Sequence, residues 1–273
     1  MSLLEETKSL LRRHRIGPNK SLGQNFMVES QVFQKMAHHA QLGCNDTVLE
    51  IGAGLGFLTR FLSEKCRRVL AVEFDPRLVS ILREQLGCVT NVNIIQGNVL
   101  KVNVPPFNKI VSIPPYQISS RLLTWIFKKN FERAVLIFQK EFAGRLTATV
   151  GSEDYGWLTV FTHYHAQVEL LDEIPKSMFY PSPKIDSTIM RLKPKKPKAA
   201  LTGDASFQRL LQVLFTRRNR TVRNAAVAYL KHKQGATKQG VVAKIGDSLP
   251  LGSKRVRELT PEEFGVLANA ILK

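Results

Sequence analysis

The chain has 273 residues, 44% of them apolar and 23% charged. That is enough for one sizeable α/β domain plus a smaller one, and too apolar for global disorder. No run of 18 or more apolar residues occurs, so no transmembrane helix is expected. The net charge of +18 sits at the ends: residues 191–273 carry 18 Lys and Arg against 5 Asp and Glu, and residues 1–20 carry 5 against 2. A near-neutral body with basic ends points to a polyanionic partner, nucleic acid before an anionic membrane.

The first segment, MSLLEETKSLLRRHRIGPNK, has no long apolar run before a small-residue cleavage site. It reads as an amphipathic helix and basic arm over residues 1–20, not as a signal peptide. The three cysteines, Cys44, Cys66 and Cys88, form no CxxC pattern and are expected as unpaired thiols in the cytoplasm. The six histidines show no metal-ligand spacing; His163 and His165 could share one face of a strand, but no metal is expected.

In chain order, residues 29–42 have the apolar spacing of a helix, and DTVLEIGAGLGFLTRFLSEKC reads as strand, Gly-rich turn and helix. RVLAVEFD is a second strand ending in acids, and the next helix opens on Pro76. Further strands are expected over 91–99, 107–116 and 133–139, with helices over 119–129 and 140–148. Strands near Leu158–His165 and Ser187–Leu192 complete a mostly parallel seven-stranded sheet of the Rossmann-like α/β class. Residues 193–200, KPKKPKAA, read as a linker between a domain over 21–192 and a small, basic, all-α domain over 201–273.

The Gly-rich turn carries Glu50, Gly52, Gly54 and Gly56 where ligands bind parallel sheets. NAD, flavin and S-adenosylmethionine (SAM) sites all use such turns. An acid at Glu50 sits badly beside a pyrophosphate and suits a ligand bearing a sulfonium and an ammonium. Glu73, closing the second strand, is placed for ribose hydroxyls, and the Asn98 oxygen, closing the third, could accept from an adenine amine. The fourth strand runs into VSIPPYQISS, Val111 to Ser120. Tyr116 can stack on a flat base, and a Pro-Pro turn, lacking N–H groups, leaves the Ile113 and Pro114 carbonyls as acceptors.

Six ordered segments resemble the ribosomal RNA small-subunit adenine dimethyltransferase family: KSLGQNF (20–26), VLEIGAGLGFLT with AVEFD, PYQISS, YGWLTV (155–160), FYPSPKIDS (179–187) and FTRRNRTVRN (215–224). The resemblance implies SAM-dependent methylation of the N6 amines of two adjacent adenines in a hairpin loop near the 3′ end of small-subunit rRNA, on the immature subunit, by a monomer. It implies cofactor contacts at Asn25, Met27, Gly52, Gly54, Glu73, Asn98 and Ile113, with Gln24 supporting the N-terminal motif. It places the catalytic turn on Ile113, Pro114, Pro115 and Tyr116, Tyr116 stacking on the base.

Two positions depart from the family pattern. Asn98 stands where Asp is usual, and Ile113 stands where an Asn side-chain oxygen normally accepts from the target amine. The second departure leaves three outcomes open: slow methylation, arrest after one methyl, or an inactive ribosome-assembly factor. Arg217, Arg218, Arg220 and Arg223 are expected at the head of a helix, where 217, 220 and 223 share a face for phosphate contacts, joined by Lys195, Lys196 and Lys198 of the linker. The large-subunit adenine methyltransferases of macrolide resistance remain a rival reading, and an NAD-dependent dehydrogenase a more distant one.

Overall fold

The computed structural model describes residues 1–195, 203–234 and 248–272. Its strands are β1 (Phe26–Met27), β2 (Thr47–Ile51), β3 (Arg68–Glu73), β4 (Val92–Gln96), β5 (Lys109–Ser112), β6 (Arg133–Gln139), β7 (Ala166–Ile174), β8 (Phe179–Tyr180) and β9 (Ser187–Pro194). Its helices are α1 (Leu3–Arg13), α2 (Ser30–Ala40), α3 (Phe57–Ser63), α4 (Pro76–Leu86), α5 (Ser119–Ile126), α6 (Lys140–Leu146), α7 (Trp157–His165), α8 (Asp204–Phe215), α9 (Val222–Gln234) and α10 (Pro261–Leu272).

Seven strands form one sheet in the order β4-β3-β2-β5-β6-β9-β7. The run β4-β3-β2-β5-β6 is parallel, and β9 lies antiparallel on β6. All five residues of β2 are buried, as a central parallel strand covered on both faces requires. From β2 the chain winds outward through β3 to β4, then returns to β5 on the other side. Strand order therefore reverses between β2 and β5, and a crevice opens beyond their carboxyl ends. The expected Rossmann-like sheet of seven strands is the one observed.

Local chemistry fixes the elements around this crevice. Asp75 caps α4 by accepting from the Arg77 N–H (3.0 Å), and Pro76 opens the helix. Ser2 and Glu5 form a reciprocal capping box on α1. That helix buries Leu10 and Leu11 in the main core, so the basic N-terminal segment begins as a docked helix. A two-stranded sheet pairs Phe26 with Tyr180 and Met27 with Phe179, fastening the Lys20–Phe26 motif to the segment before β9.

The chain divides into two compact units, Met1–Ala143 with Val168–Pro194, and Gly144–Gln167 with Lys195–Lys273. One division falls in the 193–200 linker; the other two, after Ala143 and after Gln167, fall inside the segment 21–192. Residues 144–167 join the C-terminal segment because their aromatics pack there. The Tyr155 hydroxyl donates to the Leu259 carbonyl (2.7 Å), and the Tyr155 and Tyr164 rings meet Phe215 (5.7 Å) and Phe207 (5.2 Å) edge-on. Lys196 and Lys198 lie outside the described residues.

The strand expected at Leu158–His165 is helix α7, and the sheet strand follows it as β7. Aromatic and β-branched residues suggest a strand locally. Helical spacing wins because Trp157, Phe161 and His165 stack in turn along one face, with centroids 6.2 and 4.2 Å apart. The Thr159 side chain also caps the helix start, accepting from the Gly156 N–H (3.1 Å). His163 and His165 are therefore helical and pair with different acids, Glu262 (3.1 Å) and Asp204 (3.3 Å). The three cysteines are unpaired.

Candidate active site

A cavity of about 300 Å³ occupies the crevice at the switch point. Gln24, Asn25, Gly52, Gly54, Glu73, Asn98, Ile113, Pro114, Pro115 and Tyr116 all line it. These residues come from the N-terminal motif and the ends of β2, β3, β4 and β5, far apart in sequence and gathered by the winding of the sheet. Met27 does not line this cavity. It is buried in β1 and faces an adjoining recess that Glu50, Gly52 and Ile113 also line.

Gly52 has φ +78°, and a Cβ built on it stands 3.0 Å from Pro115 Cδ and 3.8 Å from the Ile113 carbonyl oxygen. The Gly-rich turn and the Pro-Pro turn thus approach as closely as a missing side chain allows. Gly52→Ala is expected to strain φ and push the two turns apart. The φ strain alone costs about 1–2 kcal/mol. Calorimetry should show Tm lowered by about 2–6 °C. Titration should show SAM affinity reduced by much more than that strain implies, because the cradle itself is displaced.

Glu50 is buried behind the turn, and its Oε2 has no hydrogen-bond partner. Burial pushes its carboxyl up to about 8. The Thr59 side chain eases this only in part, and the nearby Glu73 charge adds to it. With its carboxyl so raised, Glu50 is mostly protonated at neutral pH; a cationic ligand nearby favours its ionised form, and an anionic ligand does not. Beside it, the cradle at Gly52 accepts atoms where a Cβ would otherwise stand. Both observations fit SAM, which carries sulfonium and ammonium groups.

Glu73 accepts from the N–H groups of Gly54 (2.8 Å), Phe74 (2.8 Å) and Asp75 (2.8 Å), which fixes its carboxylate at the end of β3. Burial nevertheless holds its carboxyl above the usual range. The Asn98 oxygen accepts from the Leu100 N–H (3.0 Å), so its first role is to shape its own loop, with a second lone pair left for a ligand amine. Gln24 donates to Asp75 (2.8 Å) and accepts from the Asn19 N–H (2.7 Å), tying the N-terminal motif to the start of α4. Hydrogen bonding to Arg77 holds the Asp75 carboxyl low, which keeps this tie charged.

In the Ile113–Tyr116 turn, the Pro115 carbonyl accepts from the Ile118 N–H (3.2 Å). Among the described turn, loop and cap bonds, none ends on the carbonyls of Ile113 or Pro114. The Tyr116 hydroxyl shares a hydrogen bond with Ser187 of β9 (2.8 Å), and burial pushes its pKa up to about 12. The ring is thus held by its far end, leaving it to act as a surface and not as an acid or base. Ser119 closes the turn by donating to the Tyr116 carbonyl (2.7 Å).

Sequence reasoning missed several supporting groups. Ser112 bridges β5 to β2, donating to the Ile51 carbonyl (2.6 Å) and accepting from the Ile51 N–H (3.2 Å). Gln117 donates to the Lys20 carbonyl (3.2 Å), fastening the segment after the Pro-Pro turn to the N-terminal motif. Phe74 lies exposed on the cavity wall. Their signal lay in tertiary contacts; only the placement of Phe74 after the strand-ending Glu73 was visible beforehand.

The arginine cluster is arranged differently from the helical face expected. Arg217, Arg218 and Arg220 lie in the turn between α8 and α9, and Arg223 in the first turn of α9, so no single helix carries them. The turn exists because the 220–222 segment pairs with 254–256, the Val222 N–H donating to Lys254 (2.8 Å) and the Val256 N–H to Arg220 (3.0 Å). Arg218 donates to the carbonyls of Ser152 (2.6 Å) and Glu153 (2.6 Å) and has a structural role. Arg217, Arg220 and Arg223 are exposed.

A family model described as ribosomal RNA adenine dimethylase matches residues 17–263. The chain belongs to the ribosomal RNA adenine dimethylase family. It is 41% identical over 93% of its length to a probable ribosomal RNA small subunit methyltransferase A of Pyrococcus abyssi, covering 92% of that protein. It is 36% identical over 97% of its length to the protein of the same name from Methanosarcina barkeri, covering 91% of it. Among solved structures, a dimethyladenosine transferase from Plasmodium falciparum matches with TM-score 0.76 at 28% identity, over 89% of this chain and 95% of that one. The 23S rRNA methyltransferase ErmE matches with TM-score 0.63 at 27% identity, over 91% and 100%. As a dimethylase-family member the chain is a methyltransferase enzyme, and the dehydrogenase reading falls away.

Proposed function

We propose that this enzyme methylates N6 of adjacent adenosines in a hairpin loop near the 3′ end of small-subunit rRNA, using SAM, during assembly of the subunit in the cytoplasm. The observation that carries the reading is one continuous cavity lined both by Gly52, Glu73 and Asn98 and by Ile113, Pro114 and Tyr116. Similarity to relatives named for the small subunit, at up to 41% identity, favours that subunit over the large one of ErmE. Among the described residues no helix is long and apolar enough to cross a membrane.

Bound SAM supplies an electrophilic methyl carbon. Gly52, Glu73 and Asn98 would hold it, with Gln24 fixing the N-terminal motif alongside. Tyr116 offers the face on which the target adenine stacks, a contact worth about 1–3 kcal/mol. The Ile113 and Pro114 carbonyls accept from the N6 protons, favouring the pyramidal, nucleophilic nitrogen as positive charge develops on it. Neither Tyr116 nor the amide-bound Glu73 acts as a base. None is needed, since a methylated adenine N6 cation is acidic enough to release its proton to water.

The side-chain acceptor of the family pattern is absent at Ile113. By analogy with removal of one oxyanion-hole donor, that loss costs about 2–4 kcal/mol. In rate it is about 10²–10³. The second methylation suffers more, because the bulkier monomethylated amine has only backbone carbonyls to orient it. The test offers unmodified small and large ribosomal subunits with radiolabelled SAM. Label entering small-subunit rRNA alone supports the assignment; label in large-subunit rRNA, or in neither, defeats it.

A further inference from the structure

The cavity is lined by two charged residues among those described, Glu73 and Arg121. They come from opposite sides of the point where the strand order reverses. Glu73 closes β3, whereas Arg121 lies in the first turn of α5, directly after the Tyr116 turn, and β2 separates β3 from β5 in the sheet. Glu73 is buried and its carboxylate is held by three backbone amides. Arg121 is exposed, and its guanidinium pairs with no carboxylate among the described residues. The cavity lining contributed by the Tyr116 segment therefore carries an exposed positive charge, and that contributed by β3 a buried acid.

A cation there opposes the sulfonium and ammonium of SAM and favours a negatively charged substrate. We infer that Arg121 is the positioning residue that grips a phosphate flanking the target adenosine, holding the nucleotide while its base stacks on Tyr116. This rests on the methyltransferase reading of the site and deepens it, since nothing in the motifs marks residue 121. The physical need is specific to this chain. With Ile113 providing no side-chain acceptor, base-edge contacts orient the adenine weakly. A charge-assisted bidentate bond from a guanidinium to phosphate is both strong and directional, and places the nucleotide from its backbone instead. Phosphate contacts of this kind position without reading sequence. Arg121 lines the cavity together with Tyr116, Gln117 and Ile118, so phosphate and base would be held by consecutive turns of one segment.

The test compares the wild-type enzyme with Arg121→Ala and Arg121→Lys. One assay measures binding of a synthetic adenosine-containing RNA hairpin as a function of salt, and a second measures kinetics on unmodified small subunits. For Arg121→Ala, Kd for the hairpin and KM for subunits should rise about tenfold, the loss of one charged hydrogen bond. The slope of log Kd against log salt should shrink by about 0.7–0.9, one phosphate contact fewer. Arg121→Lys should restore the slope but only part of the affinity, and SAM affinity should match wild type in both variants. An Arg121→Ala slope and KM equal to wild type overturn the inference. So does an equal loss in both variants accompanied by weakened SAM binding, which marks a purely structural residue. Failure of the wild type to methylate any rRNA, with a slope difference still present, overturns the catalytic reading and leaves the phosphate contact standing.

Discussion

Tyr116→Ala is expected to reduce kcat/KM on small subunits by about 10²-fold or more while leaving SAM affinity within about twofold. Stacking alone supplies about 1–3 kcal/mol, and loss of the ring also unpins the turn from β9. The anchor is the shared hydrogen bond between the Tyr116 hydroxyl and Ser187, 2.8 Å long. Tyr116→Phe keeps the ring and loses only that bond, a net contribution of about 1 kcal/mol. It should therefore retain most activity. Steady-state kinetics paired with calorimetric SAM titration separates the two roles. An alanine variant with wild-type turnover would remove Tyr116 from the adenine site. Weakened SAM binding in the same variant would instead make Tyr116 part of the cofactor wall.

Ile113→Asn is expected to raise the rate of the second methylation by about 10²–10³, restoring one preorganised acceptor. The position is half-buried just beyond β5, packing against the main core on one side and lining the cavity on the other, so a polar side chain there reaches ligand at some cost in core packing. The gain should appear mainly in kcat, because the acceptor bond strengthens as charge builds on N6. It should also be larger for the second methyl than for the first. Single-turnover kinetics with the two products resolved measures this. An unchanged ratio of dimethyl- to monomethyladenosine would mean that the Ile113 and Pro114 carbonyls already suffice, and that the family's side-chain acceptor is dispensable in this chain.

Most of the site was legible because it is built from strand ends. A Gly-rich turn after a buried strand, an acid closing the next strand and an Asn closing the third have local signatures, and the parallel sheet converts regular spacing into a shared cavity. Asn98 shows the limit: its sequence position points to a ligand, but not to the Leu100 N–H that its oxygen also accepts from. Met27 shows another, since a two-residue strand pairing with Phe179 turns it into the core, and so short a pairing leaves no periodic trace.

The less legible parts depend on contacts distant in sequence. Helix α7 carries strand-like residues and is decided by ring stacking along one face and by packing of Tyr155 and Tyr164 onto α8 and residues near α10. Strand β7 carries Glu169, Asp172 and Glu173, a charge load that conceals a strand at the edge of a sheet. The arginine run reads as helical until its pairing with residues 254–256 forces a turn, and Arg218 then serves two carbonyls. Gln117 and Ser187 act on the site through partners about 70 to 97 residues away, at separations no local pattern encodes.

The most direct test of the account is nucleoside mass spectrometry of small-subunit rRNA after incubation of unmodified subunits with the enzyme and SAM. Hydrogen-bond acceptors limited to backbone carbonyls predict N6-methylated adenosine in the 3′ hairpin loop, with monomethyladenosine in excess over dimethyladenosine. Neither product appearing, while SAM and rRNA both bind, would contradict it.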